Sequence, residues 1–282
     1  MAPGDVPSLG WRTELIFARF DGEVLEREDH LVIRTPSNPT FWWGNFLLFD
    51  HAPREGDAAR WLACFDAGIA SRQADSRHVA FGVIAAAPLE MPSEFAAAGF
   101  ASYESSVLTM QRAQLRAPRK AIDPARFRVE RLALPGQASL AVELQVASDE
   151  GEHLPIDGAR GYRLFRERQM ARYGAMERAG LGHWFGVFTE EGELVADCGL
   201  FSDGRLGRFQ HVCTHPSWRR RGLCSALVHA VCRHGFDVMK LESLVIIADP
   251  QDVAIGVYES LGFARTESTW HLERCPAESC AT

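Results

Sequence analysis

Three consecutive arginines, Arg219, Arg220 and Arg221, stand directly before Gly222 in the stretch 212–236, VCTHPSWRRRGLCSALVHAVCRHGF. An apolar strand end runs through a Pro turn into this loop. An apolar stripe at Leu223, Leu227, Val228 and Val231 marks the helix that follows. The first N–H groups of a helix have no partner inside it, so they can point at an anion. A helix start, a glycine that permits close backbone approach and three guanidinium groups together suit a phosphate grip.

Just upstream, His211, Cys213 and His215 share strand parity, which on an unbroken strand puts three metal-ligating side chains on one face. Adjacent same-face residues on one strand rarely converge on one ion, and Pro216 disturbs the alternation. The expectation is a histidine-bearing strand beside a polar cleft, with no metal.

These residues need a frame. In the second half, 127–132 reads as a strand, 139–148 as a helix with a serine at its start, and 149–158 (DEGEHLPIDG) as an acidic loop. A long helix follows at 159–179, with Tyr162, Phe165, Gln169, Tyr173 and Met176 along one stripe. Strands come at 183–189, 193–201 and 206–214, the first two joined by EEGE in a hairpin-like turn. Beyond the arginine loop and its helix lie a buried strand at 244–248, a helix at 253–260 closed by Gly262, and a last strand at 264–272.

The first half has a loose arm at 1–10 and an apolar segment at 11–20 whose periodicity fits helix or strand. Strands are expected at 31–34, 41–49, 79–85 and 102–110, and helices at 58–70 and 94–98. The polar, basic, proline-flanked stretch 112–124 reads as a linker. The division is therefore into domains 1–118 and 119–282.

Bulk properties narrow the class. The 282 residues are 46% hydrophobic and 24% charged, with a net charge of −7, so a general nucleic-acid footprint is not expected. Seven cysteines, an odd number without close paired spacing, read as free thiols in a reducing cytosol. The longest apolar run is too short to span a bilayer, and the N-terminal residues lack a signal peptide's apolar core. A cytoplasmic protein without membrane or nucleic-acid partners is the expectation. A homodimer is compatible with the sequence.

A weak internal repeat appears at an offset of 163 positions, matching Pro53, Ile84, Gly99 and Phe100 with Pro216, Ile247, Gly262 and Phe263. Strand, helix, strand, helix and strand recur in the same order in both halves.

Two motifs in the second half carry a family resemblance. THPSWRRRGLC resembles the Q/R-x-x-G-x-G/A phosphate motif of the GNAT superfamily of N-acetyltransferases. Arg219 stands at the Q/R position, Gly222 at the first glycine, and Cys224 where Gly or Ala is usual. QDVAIGVYESLGF resembles the family's N-x-x-A-x-x-x-Y-E-x-x-G-F, with Gln251 in place of Asn and Ala254, Tyr258, Glu259, Gly262 and Phe263 fitting. The resemblance covers roughly the last 155 residues and reaches the first 110 only through the repeat. It implies tandem GNAT-like domains of mixed α/β type, each a mostly antiparallel sheet flanked by helices.

The resemblance also implies a reaction: acetyl-CoA-dependent transfer of an acetyl group to a primary amine, by direct attack in a ternary complex. The acceptor would be a small molecule or a peptide N-terminus. Arg219, Arg220, Arg221, Gly222, Leu223, Cys224 and Ser225 would grip the CoA pyrophosphate, and Gln251 and Ala254 would support it. The backbone of Val212, Cys213 and Thr214 would pair with the pantetheine arm where the strand splays open. Tyr258 would protonate the leaving thiolate. The alternative is a catalytically silent CoA-binding or interaction module of the same fold.

The general base departs from the pattern. Family members often carry it at positions matching Arg208 or Gln210, neither of which is a base. His211 is one residue off; Glu150, Glu152, His153 and His183 are other candidates, and a water oriented by Gln210 would need no residue-level base. By the offset of 163, Gly56, Ala59 and Phe95 replace Arg219, Gly222 and Tyr258, so the first half is expected to lack the CoA motif. Its Phe41, Trp42 and Trp43 are expected to fill the core rather than wall an acceptor cleft.

Overall fold

The computed structural model describes residues 2, 4–85, 88–149 and 158–276, the last range without the side chains of 158–160. Two compact units divide the chain: unit 1 is Met1–Ser106 with Glu267–Thr282, and unit 2 is Val107–Thr266.

Unit 1 begins with α1 (Leu9–Asp21), β1 (Glu23–Glu26), β2 (His30–Arg34) and β3 (Phe46–Phe49). It continues with α2 (Asp57–Gly68), β4 (Val79–Val83), α3 (Ser93–Ala97) and the start of β5 (Ala101–Gln111). The Ser8 hydroxyl accepts from the Trp11 N–H, and this N-cap resolves the ambiguous segment 11–20 as helix. The segment 41–49 is not one strand: a 3₁₀ turn occupies Trp42–Gly44 before β3. Asn45 causes the break, because its side chain donates to the carbonyls of Asn38 and Phe41 and accepts from the Thr35 N–H. Trp43 packs against Trp11 and Phe46, and Trp42 stacks on His78, but Phe41, Trp42 and Trp43 are only half-buried, at the margin of the core rather than filling it as expected.

β3 and β4 pair in parallel with α2 as the crossover, and β1, β2 and β3 pair antiparallel. The edge of β4 is completed by β11 (Ala264–Arg274), the last strand of the chain, with Val79–Val83 running antiparallel to residues 270–274. Phe49 and Trp61 stack at 3.6 Å between centroids, and Phe81, Phe95 and Phe100 close around them.

Unit 2 contains β6 (Phe127–Arg131), α4 (Ala138–Ser148), α5 (Gly158–Arg178), β7 (Gly182–Thr189), β8 (Leu194–Ser202) and β9 (Leu206–Thr214). After them come α6 (Leu223–Asp237), β10 (Ser243–Ala248) and α7 (Ala254–Leu261). Its strand order is β5-β10-β9-β8-β7-β6, antiparallel from β6 to β9 and parallel between β9 and β10. Every residue of β8 is buried, as expected of a strand covered on both faces. The α6 stripe of Leu223, Leu227, Val228 and Val231 lies in one core cluster with Phe185, Val187, Val195 and Phe209.

α7 ends in a Schellman closure. The Phe263 N–H donates to the Tyr258 carbonyl and the Gly262 N–H to the Glu259 carbonyl, with the Tyr258 and Phe263 rings in contact. Gly262 has φ +110°, and a Cβ there would lie 1.9 Å from the Gln114 carbonyl oxygen. Gly262→Ala is expected to cost about 2 kcal/mol or more, from the strained backbone and the clash. Urea denaturation measures it, and an unchanged midpoint would contradict the assignment.

Candidate functional site

The arginine loop folds as a 3₁₀ turn, Pro216–Trp218, followed by two residues with left-handed backbone. Arg220 has φ +61°, and Gly222 has φ +85° as the N-cap of α6. His215 shapes the turn, its Nδ1 accepting from the Ser217 N–H. Arg219 Nε donates to the Thr214 carbonyl, and the Arg221 guanidinium lies 4.6 Å above the Trp218 ring. Among the described residues, none of the backbone N–H groups of 220–225 donates to a backbone carbonyl; the ladder starts with Ala226 donating to Gly222. A Cβ on Gly222 would sit 3.3 Å from the Lys120 carbonyl, and the stem of Lys120 lies close by. Lys120 was read as part of the linker. Its chain position gives no sign that its backbone and the start of its stem lie beside this helix start.

The strand before the loop is opened in two ways. Parallel register between β9 and β10 covers only residues 206–208 against 243–245, although β9 runs on to Thr214 and β10 to Ala248. In addition, Asp197 pairs with Cys213 and Gly199 with Gln210, so His211 and Val212 together face the single residue Cys198. His211 has φ +45° in this bulge. The bulge corrects the parity argument: Gln210 and Cys213 share a face, and His211 does not alternate regularly with Cys213 and His215.

Tyr258 is buried in the core cluster between α7 and α6. Burial, reinforced by the fields of Cys224 and Asp252, raises its pKa, so the phenol holds its proton at neutral pH. Burial pushes the Cys224 thiol up to about 12, and burial with the field of Asp197 does the same for Cys213. Gln251 is exposed in the turn before α7, its N–H donating to the Asp249 carboxylate, and the Ala254 N–H donates to Asp252.

The opposite face of the sheet holds a polar cluster under α4 and α5. The Tyr173 hydroxyl donates to Gln210 Oε1 at 3.1 Å, and the Tyr173 ring stacks on Trp184. Asp197 is fully buried; Oδ2 accepts from Gln145 Nε2 and Trp184 Nε1, both at 2.9 Å. Burial lifts its pKa to about 7 against those two hydrogen bonds and the nearby Arg166. Sequence reasoning missed Asp197. The available signal was one acid inside an otherwise apolar strand. Of the other base candidates, His183 packs against His234 of α6, while Glu150, Glu152 and His153 lie outside the described residues.

Unit 1 has the same helix start with a different occupant. Gly56 is the N-cap of α2 with φ +92°, matching Gly222 in conformation. The equivalent of Gly222 is therefore Gly56 rather than Ala59, a shift of three positions from the simple offset. The Gly56 and Ala58 N–H groups donate to Glu94 Oε1 at 2.8 and 3.1 Å. An internal carboxylate thus sits where the helix start would receive an anion. Farther along, Phe100 N–H donates to the Phe95 carbonyl as Phe263 does to Tyr258, which pairs Phe95 with Tyr258.

Residues 149–263 match the model of the acetyltransferase (GNAT) family. Unit 2 thus carries a domain of the GNAT superfamily, and the fold is a tandem of GNAT-like domains. The fold is similar to that of a functionally unknown conserved protein from Staphylococcus epidermidis ATCC 12228, at 11% identity and TM-score 0.73, over 91% of this chain and 95% of that one. It is also similar to a GCN5-related N-acetyltransferase from Kribbella flavida, at 15% identity and TM-score 0.62, over 95% and 96% of the two chains. A tandem GNAT protein from the clavulanic acid biosynthesis pathway aligns at 14% identity and TM-score 0.53, over 82% of this chain and 75% of its own. No curated protein sequence matches the chain. No helix among the described residues is long and apolar enough to cross a membrane.

The Asp197 pKa sets a pH signature. Because the folded value, about 7, lies above the unbound carboxylate value of 3.8, its contribution to stability is present below about 4. That contribution is lost as pH rises through about 7. Asp197→Asn is therefore expected to be more stable than wild type at pH 8, by on the order of 2–4 kcal/mol, with the gap closing toward pH 4. Denaturant midpoints across this range check it; a gap independent of pH would contradict the raised pKa.

Proposed function

We propose that unit 2 is an acetyl-CoA-dependent N-acetyltransferase acting on a primary amine of a small molecule or a peptide N-terminus. The observation that carries this reading is the open α6 start beside the splayed β9, within a GNAT domain. The residues fit the cosubstrate: donors at 220–225 and the cations Arg219, Arg220, Arg221 and Lys120 suit a pyrophosphate. The β9 edge at Val212, Cys213 and Thr214 suits the amide groups of a pantetheine arm. Acetyl-CoA supplies an activated acyl group as a thioester. The amine attacks it directly in a ternary complex, and the buried, protonated Tyr258 hydroxyl delivers the proton to the departing sulfur.

Calorimetry is expected to show one acetyl-CoA bound per chain, with Arg220→Ala/Arg221→Ala weakening binding about tenfold and more at low salt. Absence of binding would overturn the reading. Tyr258→Phe is expected to lower kcat roughly 10²-fold while leaving acetyl-CoA affinity within about a factor of three. Unchanged turnover in a thiol-release assay would remove Tyr258 from the mechanism.

A further inference from the structure

Asp197 is a carboxylic acid with no exposure, held on one oxygen only. Gln145 from α4 and Trp184 from β7 both donate to Oδ2, while Oδ1 has no hydrogen-bond partner among the described residues. A buried carboxyl oxygen without a donor is costly and leaves Oδ1 able to accept a proton or a hydrogen bond. Its place is specific. Asp197 is the direct cross-strand partner of Cys213, so the two side chains share the face covered by α4 and α5. The neighbouring strand lies about 5 Å away, and the β9 backbone at Cys213 is where the proposed pantetheine path runs. Gln210 reaches the same face, one bulge away.

We propose that Asp197 is the proton acceptor of the transfer reaction, taking the proton of the acceptor ammonium on Oδ1. This rests on the acetyltransferase reading of unit 2 and assigns it the base that the β9 positions lack. In the step, an N–H bond of the ammonium breaks and an O–H bond forms on Oδ1. The freed nitrogen lone pair attacks the thioester carbonyl, the C–S bond breaks, and the sulfur takes the Tyr258 proton. The nitrogen, positively charged after attack, releases a second proton to water to leave the neutral amide. The resulting phenolate and carboxylic acid return to their starting states by exchange with water. The groups facing Asp197 fit the role. Burial holds the carboxyl near neutrality, where it can both accept and release a proton. Gln145 and Trp184 fix its orientation, Arg166 on α5 favours the ionised form, and the Cys213 thiol stays protonated. Cys198, on the opposite face, is also held neutral by burial.

Two measurements test this. The first is carboxyl ¹³C NMR of aspartate-labelled wild type, with the Asp197 signal assigned by its absence in Asp197→Asn. The carboxyl is expected to titrate near 7 in the CoA-bound protein and to shift downward when n-propylamine, phenethylamine or putrescine is added. A carboxyl that titrates near the ordinary value of 3.8, or does not respond to any of these amines, overturns the proposal. The second is thiol release with the amine that wild type acetylates fastest. Asp197→Asn is expected to lose about 10²-fold in kcat/KM at pH 7. The loss should shrink as pH approaches the amine's own pKa, because the free base needs no proton acceptor. Wild-type turnover in Asp197→Asn, or a loss that is the same at every pH, overturns it. Failure of the acetyltransferase reading would look different: wild type would show no calorimetric binding of acetyl-CoA, and the proposal would fall with it.

Discussion

The start of a helix needs something to receive its first N–H groups, and the two halves of this chain meet that need differently. At α2 the donors of Gly56 and Ala58 end on the carboxylate of Glu94. At α6 the corresponding donors have no such backbone or carboxylate partner among the described residues, and Arg219, Arg220 and Arg221 stand directly before them in the chain. The same left-handed glycine opens both helices, so the difference lies in the occupant and not in the backbone. An internal carboxylate satisfies α2 and leaves no reason for a phosphate to bind there. The proposal of one working site per chain follows from that single substitution of partner.

The remaining structure serves this helix start. The β9-α6-β10 crossover sets the loop at the end of a strand, and the early loss of register between β9 and β10 leaves strand edges beside it. The bulge at His211 and Val212 turns Gln210 and Cys213 to the face that carries Asp197. The Schellman closure at Gly262 ends α7 so that Tyr258 is seated against α6. The proposed phosphate grip, pantetheine edge, acid and base would thus come from four successive elements of unit 2 and one neighbouring strand.

Much of this was legible in the chain. The arginine loop, the Tyr258 motif and the α6 stripe follow local rules of spacing and capping. Other features depend on partners distant in sequence. The segment 41–49 looked like a strand because its aromatics are apolar; Asn45 bonding back to Asn38 and Phe41 decided otherwise. The repeat at 163 was real in order but placed Ala59 against Gly222, since identity matching cannot see a left-handed cap at Gly56. That the final strand completes the β4 edge of unit 1 was also invisible, because pairing leaves element order unchanged. Strand parity misplaced His211, because a bulge has no sequence signature as plain as alternation. Asp197 passed unnoticed because only its environment separates a buried acid from a buried strand position.

The central claim is that α6 receives the CoA pyrophosphate and α2 does not. Backbone amide shifts in a TROSY titration of the labelled chain with CoA test it most directly. The amides of Gly222, Leu223, Cys224 and Ser225 should move in a saturable way, while those of Gly56, Asp57 and Ala58 stay fixed. Shifts concentrated at Gly56, Asp57 and Ala58, or none at Gly222, Leu223, Cys224 and Ser225, would contradict the account.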